Sequence, residues 1–102
     1  MGEEVPEWQM MWGAKVKTPV DVPDDMLKDA ILTSQRLIGE ATDFEAEGVD
    51  VAEKIKREFD ERWTPYWHVI IGKNFGSFVT HETKRFLYFY FDDKAVMIYK
   101  AG

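Results

Sequence analysis

The chain has 102 residues, no cysteine and a formal net charge of −6. That length holds one domain at most and buries only about two-thirds of the surface its unfolded form exposes, so a second chain would add useful burial. The missing cysteine excludes disulfide frameworks, thiolate metal sites and thiol nucleophiles, and the acidic balance opposes phosphate binding.

No apolar run approaches the roughly 18 residues of a membrane span. The first residues lack the basic and apolar stretches of a signal peptide. Pro6 stands where a myristoylation signal needs Ser or Thr. The expectation is a soluble intracellular domain. The charge is uneven: residues 1–62 carry 16 acidic and 8 basic side chains, residues 63–102 carry 3 and 5. Eleven of the fifteen aromatics lie at or after Trp63, so an acidic first half precedes an aromatic second half.

In chain order, residues 1–13 are an extension without a clear period. Its tip, Trp8-Gln9-Met10-Met11-Trp12, is apolar for a tail, and a helical turn there would put Trp8 and Trp12 on one face. Residues 14–20 alternate as a short strand, which Pro19 confines to an edge or ends. Asp21-Val22-Pro23-Asp24-Asp25 starts a helix, with proline in the first turn and aspartates at the positive end of the dipole. Leu27, Ala30, Ile31, Ser34, Ile38 and Ala41 make its buried face. The stretch 39–49 reads as irregular, with Gly48 a breaker. Asp50 and Glu53 resemble a capping box that opens a second helix, with the stripe Ala52, Ile55, Phe59 and Trp63. Glu53–Arg57 and Glu58–Arg62 are i,i+4 pairs on a solvated face. Pro65 ends this helix near Trp63. Trp67 to Ile71 is a strand closed by Gly72. Lys73 to Gly76 is a turn or bulge, and Ser77 to His81 a second strand. Phe86 to Phe91 has the composition of a central strand buried on both faces. Asp92-Asp93-Lys94 turns into a last strand, Ala95–Lys100. The order, one strand, two helices and an antiparallel meander, is α+β.

Catalytic motifs fail one by one, so no enzyme, metal or cofactor is expected. His81-Glu82-Thr83-Lys84-Arg85 opens like a zinc protease helix, but Arg85 replaces the second histidine. No glycine stands two residues before Ser77, so there is no nucleophile elbow. Lys73-Asn74-Phe75-Gly76-Ser77-Phe78-Val79 is close to an RNA-recognition signature, but Asn74 replaces a glycine and Ser77 flips Phe78 to the wrong face. No nucleic acid or membrane partner is expected. On composition alone, His68 and His81 read as packing residues in aromatic strands.

Trp67-His68-Val69-Ile70-Ile71-Gly72-Lys73-Asn74-Phe75-Gly76-Ser77-Phe78-Val79-Thr80-His81-Glu82-Thr83-Lys84 resembles a dynein light chain of the light chain 8 type. The similarity continues through Phe86-Leu87-Tyr88-Phe89-Tyr90 to Tyr99-Lys100-Ala101-Gly102, and Ile55-Lys56-Arg57-Glu58-Phe59-Asp60 resembles the family's second helix. It covers about residues 14–102, which divides the chain into an N-terminal extension, 1–13, and a light chain domain, 14–102.

The resemblance implies two helices packed on an antiparallel β-sheet and a strand-exchanged two-fold dimer with two grooves, each taking an extended peptide by strand addition. The implied partners are dynein intermediate chains and other disordered segments, often with a Thr-Gln-Thr-like core, and a second light chain in a homo- or heterodimer. It assigns Asn74, Phe75, Gly76, Ser77, Phe78, Val79, Thr80 and His81 to the edge that meets the peptide. Phe86, Tyr88 and Tyr90 would line the groove, with Ala95 and Met97 near its floor. His68, Phe78 and Thr80 fall to the dimer interface. The expected function is a non-enzymatic dimerisation hub in a dynein motor complex of the cytoplasm and cytoskeleton. The alternative is a fixed structural subunit whose grooves are occluded and locked by its tail, through Trp8 and Trp12. Gly48 and Val49 stand where the family has an acidic residue and a lysine that hold the peptide's glutamine. Phe78 replaces a tyrosine and Ala101 a phosphorylatable serine. These departures point to a specialised paralogue of axonemal outer-arm type, placed in the cilium or flagellum.

Overall fold

The computed structural model describes residues 8–18, 20, 22–73 and 86–100. Two short strands come first, β1 (Trp8–Met11) and β2 (Ala14–Lys17), then two helices, α1 (Asp24–Glu40) and α2 (Phe44–Trp63). Strands β3 (Trp67–Gly72), β4 (Phe86–Phe91) and β5 (Lys94–Lys100) follow. They form one antiparallel sheet in the order β1-β2-β4-β5-β3, with the helices packed on one face. This is the α+β architecture expected. The expected strand Ser77–His81, and all but the first residue of the turn before it, lie outside the described residues.

The tip of the extension is not helical. Trp8–Met11 pairs with Ala14–Lys17 in a hairpin, with Trp8 opposite Lys17 and Met11 opposite Ala14. The two-residue loop holds Trp12 at φ 47° and Gly13 at φ 84°. Positive φ at both central residues matches the twist of a tight hairpin, and glycine supplies it without strain. A Cβ on Gly13 would also come within 3.2 Å of the Gln35 side chain. Trp8 and Trp12 therefore share no helical face.

Pro23 is the N-cap of α1 rather than a first-turn residue, and Asp24 and Asp25 occupy the first turn. Leu27, Ala30, Ile31, Ser34 and Ile38 are buried as their spacing predicts, and Ala41 falls just beyond the helix. The start of α2 requires a larger correction. It begins at Phe44, and Asp43 caps it by accepting from the Ala46 N–H at 3.3 Å. Glu47 reaches back to accept from the N–H of Asp43 at 3.1 Å and from the N–H and hydroxyl of Thr42 at 3.2 and 3.0 Å. The Asp43 N–H, ahead of the Thr42 hydroxyl, holds this carboxylate below its ordinary pKa. These partners satisfy the helix start upstream of Asp50. Gly48, inside the helix with open space around its missing Cβ, costs only about 1 kcal/mol relative to alanine.

The core lies between helices and sheet. Phe59 and Trp67 are fully buried and meet edge to face, 4.9 Å apart at 85°. Leu87, Phe89, Val96 and Ile98 supply the sheet side, and Val16 extends it to β2. The helices are clasped at their surface by one carboxylate. Asp29 Oδ2 accepts from the Trp63 indole at 2.7 Å and from Arg62 Nε at 3.1 Å, while its Oδ1 accepts from the Thr33 hydroxyl at 3.1 Å. Glu58 accepts from both Arg62 and Arg36, so the expected Glu58–Arg62 pair also bridges to α1. Glu53–Arg57 stays an exposed pair.

Asp60 joins the end of α2 to β3. Its Oδ1 accepts from the Trp67 N–H at 2.8 Å and its Oδ2 from Lys56 Nζ at 2.5 Å. Burial alone would raise the pKa of this carboxyl, but the bond from Lys56 and the Trp67 N–H outweigh it and hold it low. A carboxylate with a depressed folded pKa stabilises the fold above its unfolded pKa, about 3.9, and loses that contribution as pH falls through the folded value. Asp60→Asn is expected to lower stability by about 1–3 kcal/mol at pH 7. In urea melts, the gap between the variant and the parent chain should narrow towards pH 2 (roughly two units below the unfolded value). A gap independent of pH would refute the role of the charge.

Candidate functional site

Strand β3 is the last strand of the sheet, and its outer edge pairs with no strand among the described residues. Beside that edge lies a cleft of about 800 Å³, between the first half of α2 and β3. Helix α2 contributes Phe44, Glu45, Gly48, Val49, Ala52, Glu53 and Lys56; β3 and the residue after it contribute His68 to Lys73, and β5 contributes Tyr99. Val49 is 81% exposed and Ile70 43% exposed, so the cleft has apolar side chains that the chain itself does not cover. Lys73 Nζ and Glu45 form an ion pair at 2.9 Å along it. A strand edge unpaired among the described residues, beside an apolar cleft, is a geometry that can accept an added strand through main-chain bonds, with the cleft contacting its side chains. Gly48 and Val49, singled out in the sequence as departures, line this cleft.

The face of the sheet away from the helices carries the other candidate residues. Cross-strand pairing makes rows on it: His68–Tyr99–Phe86, Ile70–Met97–Tyr88 and Gly72–Ala95–Tyr90–Lys15. His68, Phe86, Tyr88, Tyr90, Ala95 and Met97 therefore share one surface. His68 is exposed and stacks on Tyr99 with ring centroids 5.3 Å apart, so in this single chain it is not a core packing residue. Tyr88 and Tyr90 bring their hydroxyls within 3.1 Å. Burial, reinforced by that hydrogen bond, pushes the Tyr88 phenol up to about 12. Trp8 lies against both, with centroid separations of 5.5 Å to Tyr88 and 5.4 Å to Tyr90, each edge to face. Lys17 and Lys15 place their ammonium groups 5.5 and 5.9 Å from the Trp8 ring.

Asn74, Phe75, Gly76, Ser77, Phe78, Val79, Thr80 and His81 lie outside the described residues. Trp12 sits apart from the Trp8 cluster in the hairpin turn, under the ammonium of Lys28 at 5.9 Å. The reading from sequence missed Glu45, Ile70, Lys73 and Tyr99 as cleft residues. Alternation along β3 marks Ile70 as facing away from the core, but nothing in spacing alone brings α2 beside it. Among the described residues no cluster of three or more His, Asp or Glu side chains is arranged for a metal ion. No described helix is long and apolar enough to cross a membrane.

The five-stranded antiparallel sheet with two helices packed on one face is the fold of a dynein light chain-like domain. Its fold is similar to that domain of a Fasciola hepatica calcium binding protein, with a TM-score of 0.77 at 14% identity, covering 91% of this chain and 96% of that one. A second structure of the same domain gives 0.75 at 15% identity, covering 98% and 100%. The model of the family described as dynein light chain type 1 matches residues 14–101. A dynein light chain of Schistosoma mansoni is 44% identical over 82 residues, which span 80% of this chain and 88% of that protein. The chain belongs to the dynein light chain family, whose members are structural subunits of dynein motor complexes on the microtubule cytoskeleton.

Proposed function

We propose that this chain is a non-enzymatic dynein subunit that pairs with a second light chain and captures extended, disordered segments, foremost those of dynein intermediate chains, by strand addition. The observation that carries the reading is the β3 edge, unpaired among the described residues, beside the α2 cleft, in a chain whose family match runs from residue 14 to residue 101. In the proposed dimer each chain lends one strand to its partner's sheet, and the peptide meets the edge assigned to residues 74–81. Phe86, Tyr88 and Tyr90 then line the groove, with Ala95 and Met97 near its floor. Gly48 and Val49 put neither an acid nor a lysine at the two positions of α2 where the family holds the peptide's glutamine, so a glutamine gains less here than at a site with both.

The affinity follows from the bonds available. About six main-chain hydrogen bonds at roughly 1 kcal/mol net each, with side-chain burial added and about 2–5 kcal/mol of ordering subtracted, give single sites of micromolar order. Two tethered peptides on two grooves gain further through effective concentration. The test is calorimetric titration with a synthetic twelve-residue peptide carrying a central Thr-Gln-Thr. We expect one peptide per chain at micromolar affinity. Gly76→Val, which adds a β-branched side chain where the peptide backbone approaches, should weaken binding at least tenfold and leave the circular dichroism unchanged. Equal affinity in the variant would remove Gly76 from the groove.

A further inference from the structure

The N-terminal hairpin adds a strand outside the family match, which begins at residue 14, and one of its side chains reaches across the sheet. Trp8 is paired with Lys17 on β2, yet its ring touches Tyr88 and Tyr90 on β4, the next strand over. The ring is held from several sides. Two tyrosine rings meet it edge to face, and the ammonium groups of Lys15 and Lys17 stand within cation–π range. Tyr88, against which this ring packs, is only 5% exposed, although it lies on the face that the helices leave bare. The same two tyrosines are among those that the strand-addition reading places along the groove.

We propose that Trp8 is a resident occupant of the Tyr88–Tyr90 surface, a side chain of the protein's own that an incoming extended segment must displace. The inference rests on the strand-addition reading for the identity of the segment, but not for the cover itself. It goes beyond packing because a residue that merely stabilises the hairpin has no reason to compete with a ligand. Occupancy by Trp8 taxes every peptide by the population of the open state, so the apparent affinity falls in proportion to that fraction. A segment that brings its own aromatic or long aliphatic side chain to the tyrosines repays the displacement, whereas a small polar one does not. The hairpin thereby acts as a selectivity filter.

The test uses the full chain and Trp8→Ala, with Trp8→Phe as the conservative variant. The peptide is the synthetic Thr-Gln-Thr one. Removing two aromatic pairs and their lysine contacts should tighten peptide binding by roughly tenfold in Trp8→Ala, even as the melting temperature falls, and Trp8→Phe should restore most of the parent affinity. A purely structural role predicts lower stability with unchanged or weaker peptide binding, and that result overturns the proposal. A second readout needs no peptide. Nitration by tetranitromethane, mapped by mass spectrometry, compares Tyr88 and Tyr90 with Tyr66, which is 70% exposed and serves as internal reference. The ratio should rise several-fold in Trp8→Ala; an unchanged ratio overturns the cover outright. If neither chain binds the peptide while the nitration ratio rises, the cover stands and the strand-addition reading is the part that fails.

Discussion

Phe59→Ala is expected to lower the stability of this chain by about 3–5 kcal/mol, a large part of the 5–15 kcal/mol that holds a typical domain together. Phe59 is fully buried in the middle of the α2 stripe. It touches Trp67 at 4.9 Å and Trp63 at 6.2 Å, so one ring joins the helix to β3 and to the Asp29 clasp. Neither tryptophan can follow it into the void. Trp67 is fixed by its own N–H to Asp60, and Trp63 by its indole N–H to Asp29. A cavity that neighbours cannot fill carries the upper part of the range. Denaturant unfolding at a fixed chain concentration checks it, since any dimer would make the midpoint depend on concentration. A loss below about 1 kcal/mol would mean the core collapses around the deletion, contrary to the fixed geometry of its neighbours.

His68→Lys is expected to weaken self-association by roughly 100-fold at neutral pH. His68 lies on the helix-free face, exposed and stacked on Tyr99, one strand-face step from the half-exposed Ile70. If a two-fold axis passes near this residue, the substitution puts two permanent positive charges against each other. At about 4 Å and an effective dielectric constant near 20, two unit charges repel by about 4 kcal/mol. Flexible lysine side chains relieve part of this, and about 2.7 kcal/mol remaining corresponds to the 100-fold loss. Sedimentation equilibrium over a concentration series reads the constant directly. His68→Gln, neutral and of similar size, should keep the dimer. An unchanged constant in His68→Lys would move the seam to another part of the face.

Much of the fold is legible in the residues because burial and period agree there. Phe86 to Phe91 and Ala95 to Ile98 are apolar on both faces and sit at the centre of the sheet, where such strands belong. The α1 stripe and the stop at Pro65 are equally plain. Two errors share a cause: a local signal was read without its partner. Gly48 and the acidic stretch before it imitate a loop, yet Asp43 and Glu47 close a cap around Thr42 that only the folded backbone reveals. At the tip, the spacing of Trp8 and Trp12 suggests a helical face. The Trp12-Gly13 pair between Trp8–Met11 and Ala14–Lys17, with alternation strongest on the second side, was the better clue. For the site, the family likeness named six residues that the register places together on the helix-free face, His68, Phe86, Tyr88, Tyr90, Ala95 and Met97. The α2 wall of the cleft was not legible, because which helix residues flank β3 depends on how the helix crosses the strand.

The register of β2 on β4 has a consequence for how the molecule is made. Lys15 pairs with Tyr90, near opposite ends of the chain. Contacts between such distant residues form slowly, because a long loop must close first. During synthesis the β1–β2 hairpin emerges early and the α1–α2 pair soon after. Both have only local contacts to satisfy. The β4 edge that receives the hairpin is made only after both helices and β3. The first strands wait beside the growing helices while the most aromatic segment is still being made. Sheet completion therefore waits for β4, and a chain cut short before β4 loses the seat of its β1–β2 hairpin.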